Sequence, residues 1–113
     1  MDTIHTKEAC QKSILAIRDT LDVVGGKWKL ILLTILMTGP RRFRELSREA
    51  GISPRILSKE LQELEINELV NRTVQNTKPI TVEYSLTAYS ETLKDVLGSM
   101  QHWGDEHRKK MIR

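Results

Sequence analysis

Residues 43–64 read FRELSREAGISPRILSKELQEL, and the fold turns on this stretch. Phe43, Leu46 and Ala50 share one face of a helix, Gly51 can take the left-handed turn that ends it, Ser53 can cap a second helix and Pro54 suits that helix's first position. In the second helix Leu57, Leu61 and Leu64 recur at spacings of four and three and point inward. That leaves Arg55, Ser58, Lys59 and Gln62 on the outer side, with Asn67 as the expected left-handed stop. A helix, a short turn and a capped helix in so short a span is a helix-turn-helix.

Downstream, the period changes from helical to two. Val70, Arg72 and Val74 alternate on one segment and Ile80, Val82, Tyr84 and Leu86 on another, with the polar tip Asn76-Thr77-Lys78-Pro79 between them. This predicts a β-hairpin whose Pro79 lies in an exposed, partly unpaired position. Thr87 can then cap a long helix carrying the apolar stripe Tyr89, Leu93, Val96, Met100 and Trp103. Such a helix is about 25 residues long, or about 37 Å at 1.5 Å per residue, so its far half should outrun the small domain and need cover.

Upstream, Ile14, Ile17, Leu21 and Val24 recur at helical spacing and Gly25-Gly26 supplies the stop. From Lys27 to Thr38 the chain is apolar almost all round, as expected of a core helix buried on several sides, and Gly39-Pro40 ends it. The expected class is α+β, mostly α: one winged helix-turn-helix domain over residues 1–113, flanked by N- and C-terminal helices that dimerise.

Composition is compatible with this. The chain has 113 residues, with 18 Lys and Arg against 15 Asp and Glu, a net charge of +3. Its mean hydropathy is −0.38, as for a soluble globular chain. The single cysteine, Cys10, can form no intramolecular disulfide, the N-terminus shows no basic-then-apolar leader, and the apolar run from Leu30 to Met37 is far short of the ~20 residues that span a bilayer. The expectation is a cytoplasmic protein with no membrane role.

The distribution of charge says more than its sum. Arg41, Arg42, Arg44 and Arg48 precede or line the first helix of the motif, Arg55 and Lys59 face outward on the second, and Lys78 sits at the hairpin tip. An α-helix fits the ~12 Å major groove of B-DNA while a wing reaches the neighbouring backbone. Double-stranded DNA is therefore the expected partner. Arg42, Arg44, Ser53, Pro54, Arg55, Ser58, Lys59, Gln62, Arg72 and Lys78 are the candidate contacts. Two plainer readings stand beside it: a solvated basic face, and a winged-helix module that binds protein without sequence-specific DNA recognition.

The segments Gly25-Gly26-Lys27-Trp28, Arg42-Phe43-Arg44-Glu45-Leu46, Ile52-Ser53-Pro54, Leu57-Ser58-Lys59-Glu60-Leu61, Leu69-Val70-Asn71-Arg72 and Pro79 to Thr87 together resemble the HxlR family of bacterial regulators, over roughly residues 10 to 104. The resemblance implies a cofactor-free homodimer joined by its first and last helices on a pseudo-palindromic operator. It also implies a recognition helix from about Ser53 to Ile66, a wing from Val70 to Leu86, and Trp28 and Trp103 as packing residues. The expected dimer interface uses Ile14, Ile17, Leu21, Leu93, Met100 and Trp103.

Two departures from the family stand out. Its N-terminal Cys-Pro, where the cysteine senses oxidants or electrophiles in several members, is replaced by Cys10-Gln11 at a longer distance from the Gly-Gly-Lys-Trp segment, and its glycine before the wing strand is replaced by Asn67-Glu68. Cys10 is a candidate redox sensor or, alternatively, a small buried hydrophobe.

No catalytic set is expected. His102 and His107 are five apart and share no helical face, so no metal site is expected either. An unidentified effector stays open as a further partner, without a nameable pocket.

Overall fold

In the computed structural model, which describes residues 6–112, the chain runs α1 (Lys7–Val24), α2 (Lys29–Leu36), β1 (Arg41–Arg42), α3 (Phe43–Ala50), α4 (Pro54–Ile66), β2 (Val70–Gln75), β3 (Thr81–Leu86), a 3₁₀ helix (Tyr89–Leu93) and α5 (Lys94–Met111). Thr6 caps α1, its hydroxyl accepting the Ala9 N–H at 3.0 Å. At the other end Gly25 N–H donates to the Leu21 carbonyl at 2.7 Å. The fit there is so close that a Cβ on Gly25 would lie 2.2 Å from that oxygen. Gly25-Gly26 is the stop that the sequence announces.

Helix α2 is shorter than the expected Lys27–Thr38. Gly26 has φ 90° and holds the chain out of helical conformation until Lys29, and the C-terminal turn tightens through Thr38 N–H to Ile35 O and Gly39 N–H to Leu36 O. Its Leu32, Leu33 and Leu36 meet Leu46 of α3, Leu57, Leu61 and Leu64 of α4, and Leu69, Val70, Tyr84 and Leu97 in one core. Burial of each leucine contributes about 2 kcal/mol. Ile31, on the outer side of α2, is exposed, so this helix is not buried all round.

The hairpin closes into a three-stranded antiparallel sheet of order β1-β3-β2. Val70 pairs with Leu86, Arg72 with Tyr84 and Gln75 with Thr81, while Arg41 and Arg42 pair with Tyr84 and Glu83 on the other edge. Strand β1 is two residues long, too short to show a period. Pro79 lies outside the strands and is exposed, as expected.

The end of α4 differs from expectation. Asn67 has φ −86°, and the left-handed residue is Glu68, at φ 61°. Leu69 N–H donates to Leu64 O and Glu68 N–H to Glu65 O, the paired bonds of a Schellman cap with a non-glycine residue in the left-handed seat. Left-handed backbone costs a side-chain-bearing residue roughly 1–2 kcal/mol. Glu68→Gly is therefore expected to raise the unfolding free energy by about 1 kcal/mol, net of the entropy glycine gains in the unfolded chain, as read from the urea midpoint.

The C-terminal segment is not one helix. Thr87 accepts the Ser90 N–H on its hydroxyl at 3.1 Å, as a cap should, but Ser90 Oγ donates back to the Thr87 carbonyl at 2.6 Å and is buried. This tight turn continues as a 3₁₀ helix before α5 begins. The expected stripe is thereby split: Leu93 packs against the core, Leu97 is buried, and Tyr89, Val96, Met100 and Trp103 are exposed.

Candidate nucleic-acid interface

The turn between α3 and α4 is fastened from both sides. Gly51 takes φ 68°, Ile52 N–H donates to Ser47 O at 3.1 Å, and Ser47 Oγ donates to Ile52 O at 2.7 Å. Ser53 Oγ accepts the Ile56 N–H at 3.4 Å and Pro54 occupies the first turn. Ser53 thus has a structural duty as well as a place at the exposed end of α4. With Leu57, Leu61 and Leu64 turned inward, Arg55, Ser58, Lys59 and Gln62 lie exposed on the other side.

The wing-side flank of α4 opens onto a cleft lined by Ser58, Leu61, Gln62, Glu65, Arg72 and Tyr84. Three candidate contacts, Ser58, Gln62 and Arg72, come together there from two elements. Tyr84 is buried and tilts against Phe43 at a ring-centroid distance of 6.5 Å, which ties the central strand to α3. Lys78 is exposed at the wing tip, beyond the last strand pair. The tip is closed by Thr77 N–H donating to Gln75 O, Thr77 Oγ1 to Pro79 O and Thr81 Oγ1 to Gln75 Oε1.

The arginines do not behave alike. Arg41 leaves the cluster: its Nε meets Glu49 Oε2 at 2.8 Å, Nη1 donates to the Gly39 and Pro40 carbonyls, and Nη2 to Thr38 Oγ1 at 2.7 Å. It is a brace for the α2–α3 turn. Arg42 pairs in register with Glu83, one position from the Arg72–Tyr84 row and so on the other face of the sheet. Its N–H donates to Glu45 Oε1 at 2.8 Å, opening α3. Among the described residues, Arg42, Arg44, Arg48, Arg55, Lys59, Arg72 and Lys78 take part in no ion pair. Their charge is available to an external anion.

A residue that the periodicity did not single out holds α4. Lys29, at the start of α2, is buried and its Nζ donates to Glu60 Oε2 and, at 3.1 Å, to Glu63 Oε1. Burial alone would lower its pKa. The hydrogen bonds and charges of Glu60 and Glu63 outweigh that and hold it above the ordinary lysine value. The only signal in the sequence was a pair of acids one helical turn apart on α4.

The flanking helices are largely bare. Of α1 only Val24 is buried, while Ile14, Ile17 and Leu21 are 48%, 60% and 61% exposed. On α5, Met100 is 50% and Trp103 67% exposed, and the indole stacks on His107 at 4.9 Å instead of returning to its own domain. Trp28, by contrast, packs against the core, with Lys27 Nζ 4.8 Å from its ring centroid. Cys10 is exposed on α1, so the buried-hydrophobe reading is overturned. Among the described residues no His, Cys, Asp and Glu group is placed to hold a metal, and no helix is long and apolar enough to cross a membrane.

Comparison with known proteins agrees with this geometry. Residues 23–111 match the model of the HxlR-like helix-turn-helix family. An HTH-type transcriptional regulator of Bacillus subtilis, YybR, is 41% identical over 103 residues, which cover 90% of this chain and 78% of YybR. The structure of the redox regulator HypR in its reduced form superposes with a TM-score of 0.80 at 40% identity, covering 85% of this chain and 96% of HypR. That of the HTH-type transcriptional regulator ytcD gives 0.79 at 38% identity, covering 82% and 96%.

Proposed function

The chain belongs to the HxlR-like helix-turn-helix family of DNA-binding transcriptional regulators, and we propose that it acts in the cytoplasm as a homodimer on an inverted-repeat operator, without catalysis or cofactor. The observation that carries the DNA reading is the set of exposed, unpaired cations on α3, α4 and the wing. Arg55 and Lys59 lie at the reading end of α4, Ser58 and Gln62 add hydrogen-bonding groups, and Arg42, Arg44, Arg72 and Lys78 supply phosphate contacts around them. Ser53 and Pro54 bring the helix N-terminus, the positive end of its dipole, against the backbone. The protein-binding alternative gives these cations no duty.

The homodimer rests on the apolar surfaces left over once the domain is built. Ile14, Ile17 and Leu21 on α1 and Met100 and Trp103 on α5 are uncovered. Met100 also borders an apolar groove between α2 and α5, lined by Leu30, Ile31, Met37 and Leu97. Leu93 contributes only its outer edge, because its inner side is spent on the core. Two-fold packing of α1 against α5 of a partner hides these surfaces on both protomers. It sets the recognition helices about 34–36 Å apart, one turn of DNA, as an inverted repeat requires.

Single substitutions test the contacts. Against a duplex selected by the wild-type protein from random sequence, Arg55→Ala is expected to cost about 1–3 kcal/mol of binding, as for a base-edge contact. Lys78→Ala is expected to weaken all duplexes alike and lower the salt slope by about one unit. An affinity that does not respond to salt between about 50 and 200 mM would favour a protein partner.

Cys10 is the proposed thiol sensor, in keeping with its exposure and with the description of HypR as a redox regulator. Oxidant is expected to change duplex binding by the wild type and not by Cys10→Ser. Equal responses of the two proteins remove Cys10 from regulation.

A further inference from the structure

Leu57, Leu61 and Leu64 are buried and fix which face of α4 turns to the core, and the fine aim of the opposite face is left to directional contacts beside them. On its wing side α4 borders an open cleft. On its α2 side, Glu60 and Glu63 are held by one cation, Lys29. Among the described residues, Lys29 is the sole side chain from another helix or strand that hydrogen-bonds to a side chain of α4. Since the outward row Arg55, Lys59 and Gln62 lies on the same rigid cylinder, whatever sets the rotation of Glu60 and Glu63 sets the aim of that row.

We propose that Lys29 is a positioning residue for base recognition, fixing the rotation of α4 through Glu60 and Glu63 so that Arg55, Lys59 and Gln62 meet base edges. It touches no DNA itself. The inference rests on the DNA-reading function proposed above and assigns the specificity of that site partly to a residue on the far side of the helix. Base readout depends on hydrogen-bond geometry, whereas attraction to phosphate depends mainly on charge. A loosened α4 must therefore lose discrimination while keeping non-specific affinity.

The charge-balanced double variant Lys29→Met/Glu60→Gln separates this from a simple loss of fold, because replacing both partners of a buried pair is far gentler than stranding one. Binding is measured for the folded fraction, on a duplex selected by the wild type from a random library and on a shuffled duplex of the same composition. The ratio of the two affinities is expected to fall about tenfold, or about 1.4 kcal/mol, with shuffled-duplex binding and its salt slope unchanged. Lys29→Arg, which keeps the charge and the donors, is expected to retain most of the ratio.

A wild-type ratio in the double variant, or a parallel loss on both duplexes, overturns the proposal. If the double variant does not fold, Glu63→Ala, which removes the half-exposed arm of the pair, is expected to lower the ratio by a smaller factor, and no change there overturns it equally. A wild type that selects no sequence at all overturns the DNA-reading function itself, and the positioning role with it.

Discussion

Met100→Asp combined with Trp103→Asp is expected to leave a folded monomer whose affinity for a selected inverted-repeat duplex is lower by about two to four orders of magnitude. Both side chains are at least half exposed in the isolated protomer, and the Trp103 indole stacks on its helical neighbour His107. Two carboxylates there cost the fold no more than a few tenths of a kcal/mol each in helix propensity. In a two-fold interface, by contrast, each would be an unpaired buried charge. The affinity loss follows from linkage: once one half-site is held, the second is offered at a high effective concentration, and a monomer forfeits that gain. Sedimentation and a binding titration check both parts, and a variant that stays dimeric moves the interface elsewhere.

Lys29→Met is expected to lower the unfolding free energy by about 3 kcal/mol, a large part of the roughly 5–15 kcal/mol that a domain possesses. The side chains of Lys29 and Glu60 are only 10% and 14% exposed, so the lost cation strands a carboxylate with little access to water. Glu63, 38% exposed, can turn outward, which keeps the effect at the lower end for a buried pair. The sign with pH follows from the folded pKa of Lys29 standing above the ordinary value of 10.5. The stabilisation is fully present below that value and is lost as pH rises through the raised folded one. Urea midpoints of wild type and variant should differ by a constant amount near neutrality and converge in strong alkali, and a gap that persists there would assign the loss to packing.

The helix-turn-helix was legible because its signals are local. Gly51, Ser53 and Pro54 act within one turn of where they stand, and the leucines of α4 carry their period in plain view. The wing was legible for the same reason, through the alternation from Val70 to Val74 and from Ile80 to Leu86. What escaped depends on partners distant in the chain or on choices between near-equal local options. Lys29 resembles a solvated basic residue until Glu60 and Glu63, 31 and 34 positions away, fold against it. Arg41 resembles its neighbours until Glu49, the Gly39 and Pro40 carbonyls and the Thr38 hydroxyl claim all three of its nitrogens. Asn67 has the better left-handed propensity, yet the bonds from Glu68 and Leu69 back into α4 place Glu68 in that seat. The stripe from Tyr89 onward begins in a 3₁₀ turn, where Ser90 bonds back to Thr87, and it divides between Leu93 on the core and the exposed Tyr89, Val96, Met100 and Trp103.

The contact between Gly25 and the Leu21 carbonyl has a bearing on how this chain tolerates mutation. Every single-nucleotide change of a glycine codon that replaces glycine by another amino acid introduces a Cβ, and at this position that atom would meet a main-chain oxygen at 2.2 Å. The easiest relief is to swing α1, since only its last residue, Val24, is buried in the domain. Inherited variation at Gly25 should therefore show itself first in the direction of α1 and in the pairing proposed for it, while the helix-turn-helix core remains intact.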